Sequence, residues 1–233
     1  MIAIICAMAE ERDALLKKMK DVTVKDGKKL HYRDSFLDNR FYEGKIGNKE
    51  VVITMCGVGK VFASIVTTLL LEEYNPELVI NLGCAGSVNK DVHVGDVVVA
   101  NRVADWEAEF PEWERSIYGK QVSFGCSKRV TDLVNQLSSK TKIHVGPIVS
   151  ADAFISRDEQ VKTIKQFFPE ALCGEMEGSA VVACCYAKGV DVTIIRSISD
   201  ETLKEDNYSQ FDFNLESVCE TAAQLAEEII QIY

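Results

Sequence analysis

Short apolar runs alternate with amphipathic ones along most of this chain. "IAIIC" (2–6) and "EVVITMC" (50–56) are nearly continuous apolar runs of strand length, the pattern of a strand buried on both faces. "ELVINLGC" (77–84), "GDVVVANRV" (95–103), "KIHVGPIVS" (142–150) and "VDVTIIRSIS" (190–199) are rich in Val and Ile and read the same way. Between them, "AEERDALLKKM" (9–19), "KVFASIVTTLLLEEY" (60–74), "SKRVTDLVNQLSSK" (127–140) and "RDEQVKTIKQFF" (157–168) read as helices. Near the end of the chain Leu215, Val218, Cys219, Ala222, Leu225, Ala226 and Ile229 recur at spacings of three and four, the apolar stripe of an amphipathic helix. "LHYRDSFLDNRFYEGKIGN" (30–48) predicts antiparallel strands. No linker, repeat or low-complexity segment breaks the pattern. It predicts one α/β domain over residues 1–233, with a central mixed sheet between helices.

Composition narrows what such a domain does. At 233 residues and 47% hydrophobic content the chain can bury a large core. Its net charge of −10 and its scattered Lys and Arg argue against a nucleic-acid partner, which needs clustered cations. The N-terminus "MIAIICAMAEERD" is apolar from the start and soon acidic, unlike a signal peptide. The longest apolar run, within "FASIVTTLLL", is too short to span a bilayer. A soluble protein without a membrane partner is expected.

The cysteines speak to compartment. Cys6, Cys56, Cys84, Cys173, Cys184 and Cys185 lie in apolar surroundings, as reduced core thiols do. No Cys-x-x-Cys occurs, and His31, His93 and His144 are isolated from one another. Metal-ligand spacing is therefore absent, and a reducing cytoplasm is expected, with no metal and no disulfide framework.

In open α/β sheets ligands sit at the carboxyl ends of the strands, and the residues there are unusual. Glu10 and Glu11 follow the first strand, "GVGK" the second, "GCAGS" the third, "ADAFIS" the strand ending at 150, and Asp200 the last. Glycines let backbone approach a ligand closely. "GVGKVF" is not a dinucleotide fingerprint, because Phe62 replaces the third glycine, and not a Walker loop, because Thr54 and Val61 stand where glycine and Ser or Thr are needed. "CGEMEGSA" (173–180) places two carboxylates, Glu175 and Glu177, before the apolar run "VVACCYAKGV". Ionised carboxylates are costly to bury unless partnered or working, and a helix N-terminus is the simplest partner.

Taken in order, "AMAEE" (7–11), "CGVGK" (56–60), "NLGCAGSV" (81–88), "VGDVVVA" (94–100), "SADAFI" (150–155), "EMEGSA" (175–180) and "RSISD" (196–200) resemble the methylthioadenosine/S-adenosylhomocysteine nucleosidase family of the purine nucleoside phosphorylase/hydrolase superfamily. The resemblance implies a three-layer α/β/α sandwich, usually a homodimer, that hydrolyses the N-glycosidic bond of 5′-thio-substituted adenosines without metal or organic cofactor. Carried onto matching positions, it implies Glu11 as the base activating water, Asp200 as the acid at purine N7 and Glu177 as the acceptor of ribose hydroxyls. It places Met176 under the sugar and Phe154 against adenine. Ile155 and Ser199 read or support the base, Gly86 lies in a loop over the ribose, and Val58 and Phe211 line the substrate. Cys84 stands where the family pattern expects serine.

The chemistry asks for such a set. Cleaving a ribosyl C–N bond passes through an oxocarbenium-like state. Adenine leaves poorly as an anion, so an acid must supply a proton, and water needs a base; acid and base are each worth about 10²–10⁴-fold. Glu175 is expected only to cap or support. Glu11 as a charged first helical turn, Asp200 as a turn residue and Phe154 as core packing are the plainer readings of the same residues. A phosphorylase of the same superfamily, a nucleosidase for another 5′-modified adenosine and a non-catalytic nucleoside-binding module remain the functional alternatives. The segment 101–120 departs from the family pattern, with Trp106, Phe110, Trp113 and Tyr118 set among Asp105, Glu107, Glu109, Glu112 and Glu114. It is expected either to be a surface loop or to reshape the 5′ end of the site.

Overall fold

The computed structural model describes residues 1–27, 40–107, 123–204 and 206–233. In chain order the elements are β1 (Ile2–Cys6), α1 (Ala9–Leu16), β2 (Lys20–Asp26), β3 (Arg40–Ile46), β4 (Lys49–Met55), α2 (Lys60–Tyr74), β5 (Leu78–Ser87), β6 (Val97–Asp105), β7 (Ser123–Gly125), α3 (Lys128–Val134), β8 (Ile143–Ser150), α4 (Asp158–Phe167), β9 (Cys173–Glu175), α5 (Gly178–Lys188), β10 (Asp191–Glu201) and α6 (Asn207–Ile232).

The period of two along β1 divides the core into layers. Ile2, Ile4 and Cys6 enter one cluster with residues of α1, α3 and α6. Ala3 and Ile5 enter another, with α2 and α5. Helices thus cover both faces of a mixed sheet, the expected α/β/α sandwich. α4 presses Val161 and Ile164 onto a smaller cluster with Val88, Val149 and Ile155.

Parallel pairing runs from β4 through β1 to β5 and on to β10, so strands buried on both faces lie at the centre, as their apolar runs predict. The far side curls. β10 pairs with β6 as well as β5, and β6, β8, β9 and β5 follow in turn. Five strands therefore close on themselves, β5 and β10 running one way and β6, β8 and β9 the other.

Several details differ from the sequence pattern. β2 is exposed along its whole length; its Lys and Asp residues suit an edge strand, and charge hid it from a search for apolar runs. The three-residue β7 and β9 are too short to carry a period. α1 stops at Leu16 and α3 at Val134, short of the predicted 19 and 140; in the second case the polar run from Ser138 to Lys140 offers no face to bury. Of the segment 30–48, only 40–48 is described, and it forms an antiparallel hairpin with β4; the remainder, with His31, lies outside the described residues. All eight cysteines are free thiols. Among the described residues no helix is long and apolar enough to cross a membrane.

Candidate active site

Residues of β5, β9 and β10, together with those just after β1, β4 and β8 and at the starts of α1 and α6, enclose a cavity of about 290 Å³, close to the lower end of the ~300–1,000 Å³ usual for small-molecule sites. Glu11, Val58, Gly86, Phe154, Ile155, Met176, Glu177, Ser199, Asp200 and Phe211 all line it. Every site residue the sequence predicted is thus brought to one space.

Glu11 is the third residue of α1, just past the end of β1. Its side chain turns back onto the helix start. Oε2 accepts the N–H groups of Ala7 (2.8 Å) and Met8 (3.0 Å), and Oε1 accepts that of Cys84 (3.1 Å). The first N–H groups of a helix have no partner within it and attract an anion; here the chain's own carboxylate takes that place. Burial raises the Glu11 pKa above the ordinary carboxylate value, against the opposing pull of Arg196 and the three N–H groups. A base poised nearer neutrality accepts a proton more readily.

Asp200 sits near the end of β10, where a bulge between Ile198 and Asp200 interrupts the register with β5. Bulges re-aim side chains, and this one turns consecutive polar residues toward the cavity. Ser199 Oγ donates to Asp200 Oδ1 at 2.7 Å, and Asn207 Nδ2 donates to Oδ2 at 2.9 Å. The same Asn207 nitrogen donates to the Ile155 carbonyl at 2.8 Å. Burial raises the Asp200 pKa, while Ser199 and Asn207 work against it.

Both carboxylates rest on glycines of β5. A Cβ on Gly83 would come within 2.5 Å of Glu11 Oε1 and 2.8 Å of an Arg196 nitrogen; one on Gly86 would come within 2.9 Å of Asp200 Oδ2. That is a requirement for space, and it explains the glycines of "LGCAG".

The paired glutamates divide their work. Glu175 Oε2 accepts the N–H groups of Glu177 (3.0 Å) and Gly178 (2.7 Å), so it caps α5. It also pairs with the buried Arg196 and accepts from the Ser150 hydroxyl. Glu177 lies 3.5 Å from Arg196 and accepts the Gly59 N–H at 2.9 Å. Burial, then the charge of Glu175, pushes the Glu177 pKa up to about 8, with Arg196 opposing. Arg196, which also donates to Asn81 Oδ1 at 2.6 Å, supplies a buried positive charge that offsets the neighbouring carboxylates of Glu175, Glu177 and Glu11.

The model for the phosphorylase superfamily matches residues 1–231 of this chain. A 5′-methylthioadenosine/S-adenosylhomocysteine nucleosidase of Staphylococcus epidermidis is 35% identical over 242 residues, covering 100% of this chain and 98% of its own. The chain belongs to this nucleosidase family of the phosphorylase superfamily. Solved structures agree. The S. pneumoniae nucleosidase with the transition-state inhibitor MT-ImmA has a TM-score of 0.86 at 26% identity, covering 99% of this chain and 98% of its own. The Neisseria meningitidis nucleosidase with methylthio-immucillin-A has a TM-score of 0.85 at 26% identity, covering 100% and 99%.

Within this nucleosidase family the cavity has features that sequence reasoning missed. Cys84 is not a core thiol: it lines the cavity, with Sγ 3.7 Å from Glu11 Oε1. Arg196 and Asn207 were not singled out, the first because an arginine inside a Val/Ile run reads as a surface residue. Tyr208 joins the wall; its ring meets Phe154 edge-on at 5.8 Å, and that of Phe211 does so at 5.9 Å. Trp106 does not line the cavity but packs against the cluster around Val149 and Ile155. Phe110, Trp113, Tyr118, Glu109, Glu112 and Glu114 lie outside the described residues.

Proposed function

We propose that the chain hydrolyses the N-glycosidic bond of 5′-thio-substituted adenosines, 5′-methylthioadenosine and S-adenosylhomocysteine, releasing adenine and the thioribose. The supporting observation is the filled helix start: the N–H groups of Ala7 and Met8 already hold Glu11, so an attacking phosphate finds a carboxylate where its donors would be. Water fits there instead.

In this reading Glu11 takes a proton from water as its oxygen attacks the anomeric carbon. Asp200 gives its proton to purine N7 as the C–N bond breaks, and adenine leaves neutral. The two side chains then return to their starting states by proton exchange with solvent. Glu177 accepts the ribose hydroxyls beside the developing cation, and that contact strengthens as charge forms. Met176 lies under the sugar. Phe154, with Ile155, Ser199 and Gly86, bounds the base and ribose, and Val58 and Phe211 offer the 5′ group an apolar wall. The reading treats residues 1–233 as one domain, acting as a cytoplasmic homodimer on a small nucleoside, with no metal or organic cofactor.

In phosphate-free buffer, 5′-methylthioadenosine is expected to yield adenine and free thioribose. Turnover that requires phosphate, with a sugar phosphate as product, would replace this reading by phosphorolysis.

A pH experiment tests the acid. Asp200 acts while protonated, so activity falls as pH rises through its raised pKa. Asn207 donates to the ionised form and holds that pKa down. Asn207→Ala is therefore expected to raise it further and move the basic limb of the kcat/KM profile to higher pH. A limb that stays put or moves down counts against Asp200 as the acid.

A further inference from the structure

Lysine is a poor choice for the first turn of a helix, where the peptide dipoles present positive charge. Lys60 nevertheless opens α2, and the phosphate-loop reading that would explain it fails on Thr54 and Val61. Three carboxylates account for it. Asp105 Oδ2 lies 2.8 Å from its ammonium, Glu107 Oε2 3.5 Å and Asp152 Oδ2 3.6 Å.

Backbone groups close the cluster. The Lys60 N–H donates to Asp152 Oδ1 at 2.9 Å, the Asp152 N–H to Glu107 Oε2 at 2.7 Å, and the Glu107 N–H to Asp105 Oδ1 at 3.1 Å. The lysine side chain is only 17% exposed. Burial works against its charge, but Asp105 and the other carboxylates outweigh it and raise its pKa.

These residues come from three places: the end of β6, the segment after β8, and the start of α2. None of the four lines the cavity, yet two are linked to it through the residue next to them. Gly59, just before Lys60, donates its N–H to Glu177 Oε1 at 2.9 Å. Asp152 leads straight into Ala153, Phe154 and Ile155, all on the cavity wall.

We infer that Lys60 is a positioning residue: by gathering Asp105, Glu107 and Asp152 around the start of α2, it holds the Gly59 N–H on Glu177 and fixes the ribose-binding carboxylate before the nucleoside arrives. The inference rests on Glu177 as the hydroxyl acceptor. It assigns the lysine of "GVGK" to sugar recognition at one remove, without contact to the substrate. Small misplacements of a binding group cost up to about 10²-fold, so the effect is measurable.

The test compares Lys60→Met with the parent enzyme on 5′-methylthioadenosine and on its 2′-deoxy and 3′-deoxy counterparts, with Glu177→Gln in the same series. Lys60→Met is expected to lower kcat/KM on the full ribose by about 10–100-fold, chiefly through KM. On the counterpart lacking the hydroxyl that Glu177 reads, the loss shrinks to within about threefold, because the two changes act through one contact. Lys60→Arg, which keeps the charge, recovers most of the activity. Equal losses on all three substrates, in a variant with the parent's thermal midpoint, overturn the inference, as does the absence of any loss. If Lys60→Met fails to fold, Asp105→Asn and Asp152→Asn each remove one arm of the cluster and are read by the same criterion. If Glu177→Gln separates the substrates and Lys60→Met does not, the inference alone falls; if neither does, Glu177 is not the hydroxyl acceptor and both fall.

Discussion

Asp200→Asn is expected to fold and to bind nucleoside nearly as the parent does, while kcat falls by about 10²–10⁴, or roughly 3–5 kcal/mol of barrier. The surroundings accept the amide. Its oxygen can take the Asn207 N–H that now reaches Oδ2, and its NH₂ can donate to Ser199 Oγ, whose own proton turns to the Ala85 carbonyl 3.2 Å away. No buried donor is left facing another. What the amide lacks is a proton it can give to N7, so the loss falls on the chemical step. A kcat within a few-fold of the parent, measured by adenine release with the thermal midpoint unchanged, would remove Asp200 from the acid role.

Glu11→Gln is expected to lose a comparable 10²–10⁴ in turnover, and it differs from the first variant in also losing stability. Every group that meets the Glu11 carboxylate is a donor: the N–H groups of Ala7, Met8 and Cys84. A glutamine has one oxygen for them and turns its NH₂ against the rest. Leaving a buried donor unsatisfied costs about 1–3 kcal/mol, seen as a lower denaturation midpoint. Glu10 is exposed at the neighbouring position, so Glu10→Gln is expected to change turnover little and serves as the control. Equal, mild effects at the two positions would make both glutamates an ordinary acidic first turn.

The two substitutions diverge for a reason that could not be read along the chain. In the sequence, Asp200 and Glu11 are each one carboxylate beyond a strand. In the structure one is held partly by a hydroxyl that can turn its proton to another acceptor, the other by backbone that cannot. Glu175 and Glu177 part in the same way. Two residues apart in the chain, both line the cavity, but Glu175 is engaged by Ser150, the α5 start and Arg196, while Glu177 takes the Gly59 N–H and stands 3.5 Å from Arg196.

The sequence by itself determined the layers and the list of polar residues at the strand ends. Burial in a two-faced sheet imposes unbroken apolar runs, and an amphipathic helix imposes its stripe; both are local periods, so β1, β4 and α2 were legible within a residue or two. The ordered glycine and carboxylate motifs were equally legible, because backbone approach and buried charge tolerate few residue types. Edge strand β2 and the short β7 and β9 carried no such period. The tertiary structure alone decided that five strands close on themselves, that Arg196 stands among three carboxylates, that Cys84 faces the cavity rather than the core, and that Lys60 serves a cluster drawn from three segments. Each of these depends on residues far apart in the chain meeting in space: the local pattern records that a position is buried or charged, and only the fold supplies the partner.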